Sequence, residues 1–162
     1  MREVSISRIL IVTGYKSELF YQIPDVSIVC NDQFADTASM ASLALAESFV
    51  DEDFLLIESD LLFEKDFLTR LIASTGKNCL SIVSETGTGD EAFVELDNGF
   101  VKNISKDIHQ LLRIDGEMIG LSKISLQSFK QMLEMWKFCD NPLLNYEYLL
   151  LRCTQLHEIS AI

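Results

Sequence analysis

The residues of this sequence best suited to chemistry are the acids that follow one apolar run. Phe54–Ile57 is continuous and apolar, as expected of a strand covered on both faces. Carboxylates follow it directly at Glu58, Asp60 and Glu64. In open α/β sheets, ligands bind in the crevice beyond the carboxyl ends of the strands, so an acid emerging there is a candidate for metal or substrate chemistry. The alternative is that Asp60 or Asp66 only caps the next helix.

Strands and helices are predicted to alternate around this run. Short aliphatic or β-branched runs that end at turn residues predict strands at 6–12, 26–30, 54–57, 79–83 and 118–124. Apolar residues at helical spacing predict helices at 16–21, at 37–50 after an Asp36-Thr37 N-cap, from Lys65 to near Gly76, after a Ser125 cap, and at 143–156. The helix that begins at Lys65 is expected to bury Phe67, Leu68, Leu71 and Ile72.

One hairpin interrupts this alternation. Asn98-Gly99 stands between the alternating segments 92–96 and 100–104, which is a type I′ turn signal. The sheet is therefore predicted to be mixed. The fold class predicted for residues 1–162 is a single α/β domain, a layered α/β/α sandwich whose mixed sheet is mostly parallel.

Composition excludes several classes of protein. The net charge of −12, with the basic residues scattered singly, argues against nucleic acid as a partner. No run approaches the ~20 apolar residues of a membrane span, and the first residues lack the features of a signal peptide. A cytoplasmic protein with no membrane partner is the expectation.

The cysteines and histidines offer no recognisable site. Four dispersed cysteines without a C-x-x-C pair predict reduced, mostly buried thiols. His109 and His157 stand alone, so no Ser-His-Asp or Cys-His arrangement can be identified.

Five segments of the sequence form a recognisable series. They are 11–15 (Ile-Val-Thr-Gly-Tyr), 31–37 with Ser42-Leu43, 56–64, 90–94 and 116–120 (Gly-Glu-Met-Ile-Gly). In order and spacing, these segments resemble the nucleotidyltransferases of the glycosyltransferase-A-like fold, above all the cytidylyltransferases acting on phosphocholine or aminoethylphosphonate and the sugar-phosphate nucleotidyltransferases.

The resemblance implies an activity and a set of site residues. It implies transfer of a nucleotidyl group, CMP above all, from an NTP (CTP favoured) to a small phosphorylated or phosphonylated acceptor, with release of pyrophosphate. Asp60 would be the ligand of a Mg²⁺ ion, with Glu58 as a neighbouring support or a buried, paired acid. Residues near the nucleotide would be Asp36, Ser39 and Ser42, although Ala38-Ser39 replaces the paired Asn that is usual in the family.

The same resemblance implies an acceptor side. Asp90, Glu91 and Glu117 would accept hydrogen bonds from the acceptor, and Lys106 would meet a phosphate as a point charge. The alternative for these four residues is solvated loop or hairpin surface.

The sequence departs from the family where the triphosphate is gripped. It contains neither the Gly-rich loop with Arg and Pro-Lys nor the strand before it, which in the family lies between the strands corresponding to 6–12 and 54–57. It also lacks the later Asp-bearing segment. A fragment of an enzyme, a degenerate homologue acting as a binding or oligomerisation module, and an unrelated binding domain all remain open. An unfilled sheet edge favours a homo-oligomer.

Overall fold

The computed structural model describes residues 6–84, 86–87, 89 and 91–162. They form two compact units. The first unit holds the described residues up to Asp51 together with Leu133–Tyr146, and the second holds Glu52–Met132 and Glu147–Ile162.

The first unit is built on two parallel strands. Strand β1, Leu10–Thr13, pairs in register with β2, Ser27–Cys30, so that Leu10 lies opposite Ser27 and Thr13 opposite Cys30. The strand predicted at 6–12 therefore begins four residues later, whereas the one predicted at 26–30 is confirmed. The helix predicted at 16–21 is only a 3₁₀ turn, Ser17–Leu19, closed by i→i−3 bonds such as that from the Phe20 N–H to the Ser17 carbonyl at 3.0 Å.

Helix α1, Ser39–Ala44, follows β2 and is shorter than the predicted 37–50. Its N-cap is Ala38 rather than Asp36-Thr37. After Ala44 the backbone continues with tight i→i−3 bonds, for example from the Glu47 N–H to the Ala44 carbonyl at 3.1 Å, so the chain turns instead of extending the helix.

The second unit contains a six-stranded sheet in the order β3-β7-β4-β8-β6-β5. The strands are β3 Phe54–Ile57, β4 Cys79–Val83, β5 Phe93–Asp97, β6 Phe100–Ser105, β7 Gly116–Ile124 and β8 Ser160–Ala161. Strand β5 also pairs with the start of β7, through Phe93 opposite Glu117. The sheet is mixed, as predicted.

The prediction of a mostly parallel sheet is wrong. Among the pairings that the structure describes in this sheet, only β4–β8 is parallel, and β7 runs antiparallel to β3, β4 and β5. The hairpin is the physical reason, since it reverses the chain before β7 enters between β3 and β4. Its turn is confirmed as type I′, because Asn98 and Gly99 both take positive φ, 51° and 85°.

The described chain has three further α-helices. They are α2 Lys65–Ala73, α3 Leu126–Trp136 and α4 Tyr146–Cys153. The predicted cap of α3 is confirmed, because the Ser125 hydroxyl accepts the Ser128 N–H at 3.1 Å. Helix α2 buries Leu68 and Leu71, but Ile72 is exposed, contrary to expectation. Helix α4 is shorter than the predicted 143–156, because i→i−3 bonds such as Leu156 N–H to Cys153 carbonyl close its last turn.

The described helices include none that is long and apolar enough to cross a membrane. All four cysteines are free thiols: Cys79 and Cys153 are buried, and Cys30 and Cys139 are half-buried. Burial raises the pKa of the Cys153 thiol to about 11.

Candidate functional site

A cavity of the second unit lies at the exit of β3. Its volume is about 840 Å³, and its walls are residues 61–63, residues 82–84, Thr86, Asp115 and Ile119. These positions follow β3, end β4 and begin the antiparallel β7. The cavity therefore lies beyond the carboxyl ends of β3 and β4, the two strands that flank β7, where the sequence predicted a ligand.

Asp60 stands next to this cavity in the chain. It is exposed, and the residue after it, Leu61, begins the cavity wall. The capping alternative is excluded by the start of α2, whose N-cap is Glu64 with no side-chain hydrogen bond, while Asp66 lies inside the first turn. Asp60 is thus an exposed acid in the irregular segment between β3 and α2, directly before a residue that lines the cavity.

Glu58, two residues earlier, lies against β7. Its N–H donates to the Gly120 carbonyl at 2.7 Å, and its side chain covers the Gly120 Cα so closely that a Cβ there would be 2.2 Å from Glu58 Cδ. The residue is exposed, so the expectation of a buried acid is wrong, while that of a support beside Asp60 remains open. Any larger residue at 120 would displace the Glu58 carboxyl group.

Glu117 is buried behind the cavity wall. Only 7% of it is exposed, and its Oε2 accepts the Thr86 N–H at 2.8 Å and the Thr86 hydroxyl at 2.9 Å. Thr86, not Glu117, lines the cavity. Glu117 therefore fixes a cavity residue through its carboxylate.

The carboxylate that lines the cavity is Asp115, which the sequence reasoning missed. Its Oδ2 accepts the Leu96 N–H and the Arg113 Nε–H, both at 2.7 Å. The bond from Leu96, followed by that from Arg113, lowers the pKa of Asp115, so this wall is anionic at neutral pH. The only sequence signal was an acid directly before the Gly116 that begins β7.

The other acceptor-side predictions lie away from the cavity walls. Glu91 Oε1 accepts the Gly89 N–H at 3.0 Å, and Lys106 is exposed just after β6. Neither residue lines the cavity. Asp90 lies outside the described residues.

The serines predicted near the nucleotide hold the backbone of the first unit. The Ser39 hydroxyl donates to Asn145 Oδ1 at 3.3 Å and accepts the Tyr146 N–H at 3.0 Å, which ties α1 to the start of α4. Ser42 Oγ accepts from Asn31 Nδ2 at 3.0 Å. Both hydroxyls are therefore engaged within the unit.

Asn31 is the centre of this arrangement and was not singled out from the sequence. It is 6% exposed, and its Nδ2 also donates to Thr37 Oγ1 at 3.0 Å, while its Oδ1 accepts the Gln33 N–H at 3.0 Å. These bonds fix the turn that carries the exposed Asp36. Its position directly after an apolar strand was the available signal.

The described residues contain no group of three or more His, Cys, Asp and Glu side chains that could hold a metal ion. Mg²⁺ is commonly bound by one or two carboxylates, with water and substrate phosphates as its other ligands. The exposed carboxylate of Asp60 therefore suits an ion that arrives with a nucleotide better than one held by a preformed protein cage.

Solved structures share this architecture. The inositol-1-phosphate CTP transferase from T. maritima matches with a TM-score of 0.77 at 13% sequence identity, over 99% of this chain and 70% of that chain. The CTP:phosphocholine cytidylyltransferase from Streptococcus pneumoniae matches with a TM-score of 0.66 at 17% identity, over 99% and 71%. HddC from Yersinia pseudotuberculosis, complexed with GMP-PN, matches with a TM-score of 0.66 at 12% identity, over 99% and 71%.

No protein-family model matches the chain. At these identities the shared property is the fold. The chain therefore has a nucleotidyltransferase fold, as the resemblance predicted.

Proposed function

We propose that this chain is a nucleotidyltransferase-like domain that transfers a nucleotidyl group from an NTP to a small phosphorylated or phosphonylated acceptor, releasing pyrophosphate. The observation that carries the proposal is that exposed Asp60 directly precedes Leu61, which lines the cavity at the carboxyl ends of β3 and β4. CTP is the favoured donor, because two of the similar structures are named as CTP-using transferases. Residues 1–162 would form one domain.

Asp60 would hold Mg²⁺ together with the nucleotide phosphates. When bound, the ion neutralises charge on the α-phosphate. The protein's own contribution would be placement, because residues 61–63 and Ile82 line the cavity and Glu117 holds Thr86 in its wall.

Roles outside the cavity walls follow from position and from the resemblance. Exposed Asp36 would contact the nucleotide directly, while Ser39 and Ser42 would act by fixing the backbone around it. Lys106 would attract a phosphate, and Asp90 and Glu91 would bind the acceptor.

The second candidate is a catalytically inactive binding or oligomerisation module. It is favoured by the lack, within residues 1–162, of a Gly-rich loop bearing Arg that could hold a triphosphate. A cytoplasmic homo-oligomer, with no nucleic-acid or membrane partner, is proposed under either function.

Pyrophosphate release separates the two candidates. Purified protein would be incubated with each NTP, Mg²⁺, and phosphocholine, aminoethylphosphonate or a sugar 1-phosphate. The enzyme proposal predicts pyrophosphate release that requires both substrates and falls to background in Asp60→Ala. Release should persist in the control Asp66→Ala, which removes an exposed acid from the first turn of α2.

Two other outcomes would decide against the enzyme. Nucleotide or acceptor binding without pyrophosphate release would establish the binding module. A stable oligomer in light scattering that responds to no nucleotide would establish the assembly module.

A further inference from the structure

The cavity beyond β3 and β4 has walls that are mostly apolar. The apolar residues that line it are Leu61, Leu62, Phe63, Ile82, Val83 and Ile119. Leu62 is fully exposed and the other five are only half-buried, so their apolar surface is open to a ligand. The volume of about 840 Å³ lies in the usual range for pockets that bind small molecules. The cavity therefore favours a ligand with a substantial apolar part over a polyol, whose hydroxyl groups would lose their hydrogen bonds to water there.

The polar groups of the same walls accept hydrogen bonds. The hydrogen bonds that described residues donate to Asp115, from the Leu96 N–H and the Arg113 Nε–H, both end on Oδ2, and 25% of the Asp115 side chain is exposed. The Thr86 hydroxyl donates its proton to Glu117 Oε2 at 2.9 Å, so it can offer a ligand only its oxygen lone pairs. These two walls therefore suit a ligand that donates hydrogen bonds.

The charge of the cavity walls is negative. Asp115 contributes a carboxylate, and the carboxylate of Glu117 lies directly behind Thr86, whose N–H it accepts at 2.8 Å. The lining residues within the described chain include no Lys, Arg or His, and Ser84 is neutral. Arg113 pairs with Asp115 but is not among the residues that line the cavity. A cationic group is thus favoured here, whereas a phosphate would meet no positive side chain of these walls.

Hydrogen bonding decides which kind of cation fits. A primary ammonium group donates three hydrogen bonds and forms strong ones with a carboxylate. A trimethylammonium group donates none and is typically bound by a cage of aromatic rings. Phe63 is the one aromatic residue among the cavity walls that the structure describes. The walls therefore favour a primary ammonium group over a quaternary one.

We propose that this cavity binds a primary ammonium group on an apolar stem longer than two carbons, with Asp115 as its counter-ion. The stem covers the apolar walls, and the ammonium group donates to the Asp115 carboxylate and to the Thr86 hydroxyl oxygen. The amine is the end of the acceptor remote from its phosphate, and this assignment alone rests on the proposed function. The ligand differs from the inositol 1-phosphate and phosphocholine in the names of two similar structures.

Amines that carry no phosphate test the site apart from the transfer. n-Hexylammonium, hexyltrimethylammonium and 1-hexanol would each be titrated into the full chain and followed by two-dimensional NMR. n-Hexylammonium is expected to bind at least about tenfold more tightly than the other two, which lack either the N–H donors or the charge. It should also bind more tightly than ethylammonium, by roughly twofold or more for each added methylene. Equal binding of the three six-carbon ligands, or no binding of n-hexylammonium, would overturn the proposal.

Variants locate the counter-ion. Asp115→Asn removes the charge at nearly constant shape, so it should weaken n-hexylammonium at least about tenfold and leave 1-hexanol unchanged. Asp97→Asn makes the same change in net charge at an exposed hairpin acid outside the cavity walls, and affinity should stay within about twofold. An equal loss in both variants would contradict Asp115 as the counter-ion. Should Asp115→Asn fail to fold, the unchanged chain decides: the amine must shift the signals of Thr86, Asp115 and Ile119, and shifts confined to other residues would contradict the site.

Pyrophosphate release separates this inference from the proposed function. With 6-aminohexyl phosphate as acceptor, kcat/KM is expected to exceed the value for phosphocholine at least about tenfold. Binding of n-hexylammonium without pyrophosphate release from any acceptor would contradict the transfer and leave the amine site standing. Release with phosphocholine or a sugar 1-phosphate, without any binding of n-hexylammonium, would contradict the amine site and leave the transfer standing.

Discussion

The Glu58 side chain occupies the space above Gly120 in which any other residue would place its Cβ. That Cβ would lie 2.2 Å from Glu58 Cδ and 2.4 Å from Oε2, while the Glu58 N–H donates to the Gly120 carbonyl at 2.7 Å. The Glu58 side chain can therefore pack against β7 because residue 120 has no side chain. The two residues couple the exit of β3 to the strand beside it.

Gly120→Ala is expected to displace the Glu58 carboxyl group from its position against Gly120. Because the clashing atoms are the end of a flexible side chain, the cost is a strained rotamer of about 1 kcal/mol in the free energy of unfolding. Urea denaturation measures it. In the Glu58→Ala background the clashing atoms are gone, so Gly120→Ala should cost little there. An equal loss of unfolding free energy in both backgrounds would show that Glu58 does not pack against Gly120.

Asn31→Ala is expected to destabilise the first unit by about 1–3 kcal/mol, because it leaves buried partners without their hydrogen bonds. The side chain serves Thr37, Ser42 and the Gln33 N–H at once. The control Gln33→Ala keeps that N–H and removes an exposed side chain, so it should change stability by less than about 0.5 kcal/mol. Chemical denaturation of both variants checks this, and similar losses would contradict the central role of Asn31.

Glu95 is expected to make stability depend on pH in the acid range. The Lys102 ammonium, followed by the Leu112 N–H, lowers the pKa of Glu95 below its ordinary value of 4.5. Below that value the unfolded chain binds the proton more readily than the folded one, so this stabilisation is complete above pH 4.5 and is lost as the pH falls through the folded pKa.

Thermal unfolding followed from neutral pH into the acid range tests this. Glu95→Gln should reduce the acid-side fall in melting temperature, because it removes the carboxyl group that titrates there. An equal acid-side fall in the melting temperature of Glu95→Gln would show that Glu95 does not cause the pH dependence.

Ser84→Trp is expected to block the cavity without unfolding the chain, because Ser84 lines the cavity and is exposed. If the cavity binds the acceptor, the variant should raise the acceptor KM strongly and leave nucleotide affinity unchanged. Initial-rate kinetics in both substrates measure the two effects. An unchanged acceptor KM would show that the acceptor does not bind in this cavity.

The features predicted correctly from sequence are local ones. The Asn98-Gly99 turn requires two positive φ angles that this pair adopts readily, and Ser125 caps the helix three residues ahead of its bonded N–H. The exit of β3 was also predictable, because the change from an apolar run to acids marks the end of a buried strand.

The features that were missed depend on contacts between distant residues. The insertion of β7 between β3 and β4 depends on pairing partners such as Leu56 and Ser122, which no periodicity records. Likewise, the bond from Thr86 to Glu117 spans 31 positions, and Asp115 reaches the cavity only because β7 runs antiparallel. The two-residue strand β8 is too short for any pattern to predict.

The most direct test of a nucleotide site at Asp60 is the melting temperature with CTP and Mg²⁺. A ligand that binds only the folded chain stabilises it by about 2.7 kcal/mol at ~100 times its Kd. The expected result is a rise in melting temperature that requires both CTP and Mg²⁺, is absent in Asp60→Ala and is retained in Asp66→Ala. No rise with any NTP, or an equal rise in Asp60→Ala, would contradict a nucleotide site at Asp60.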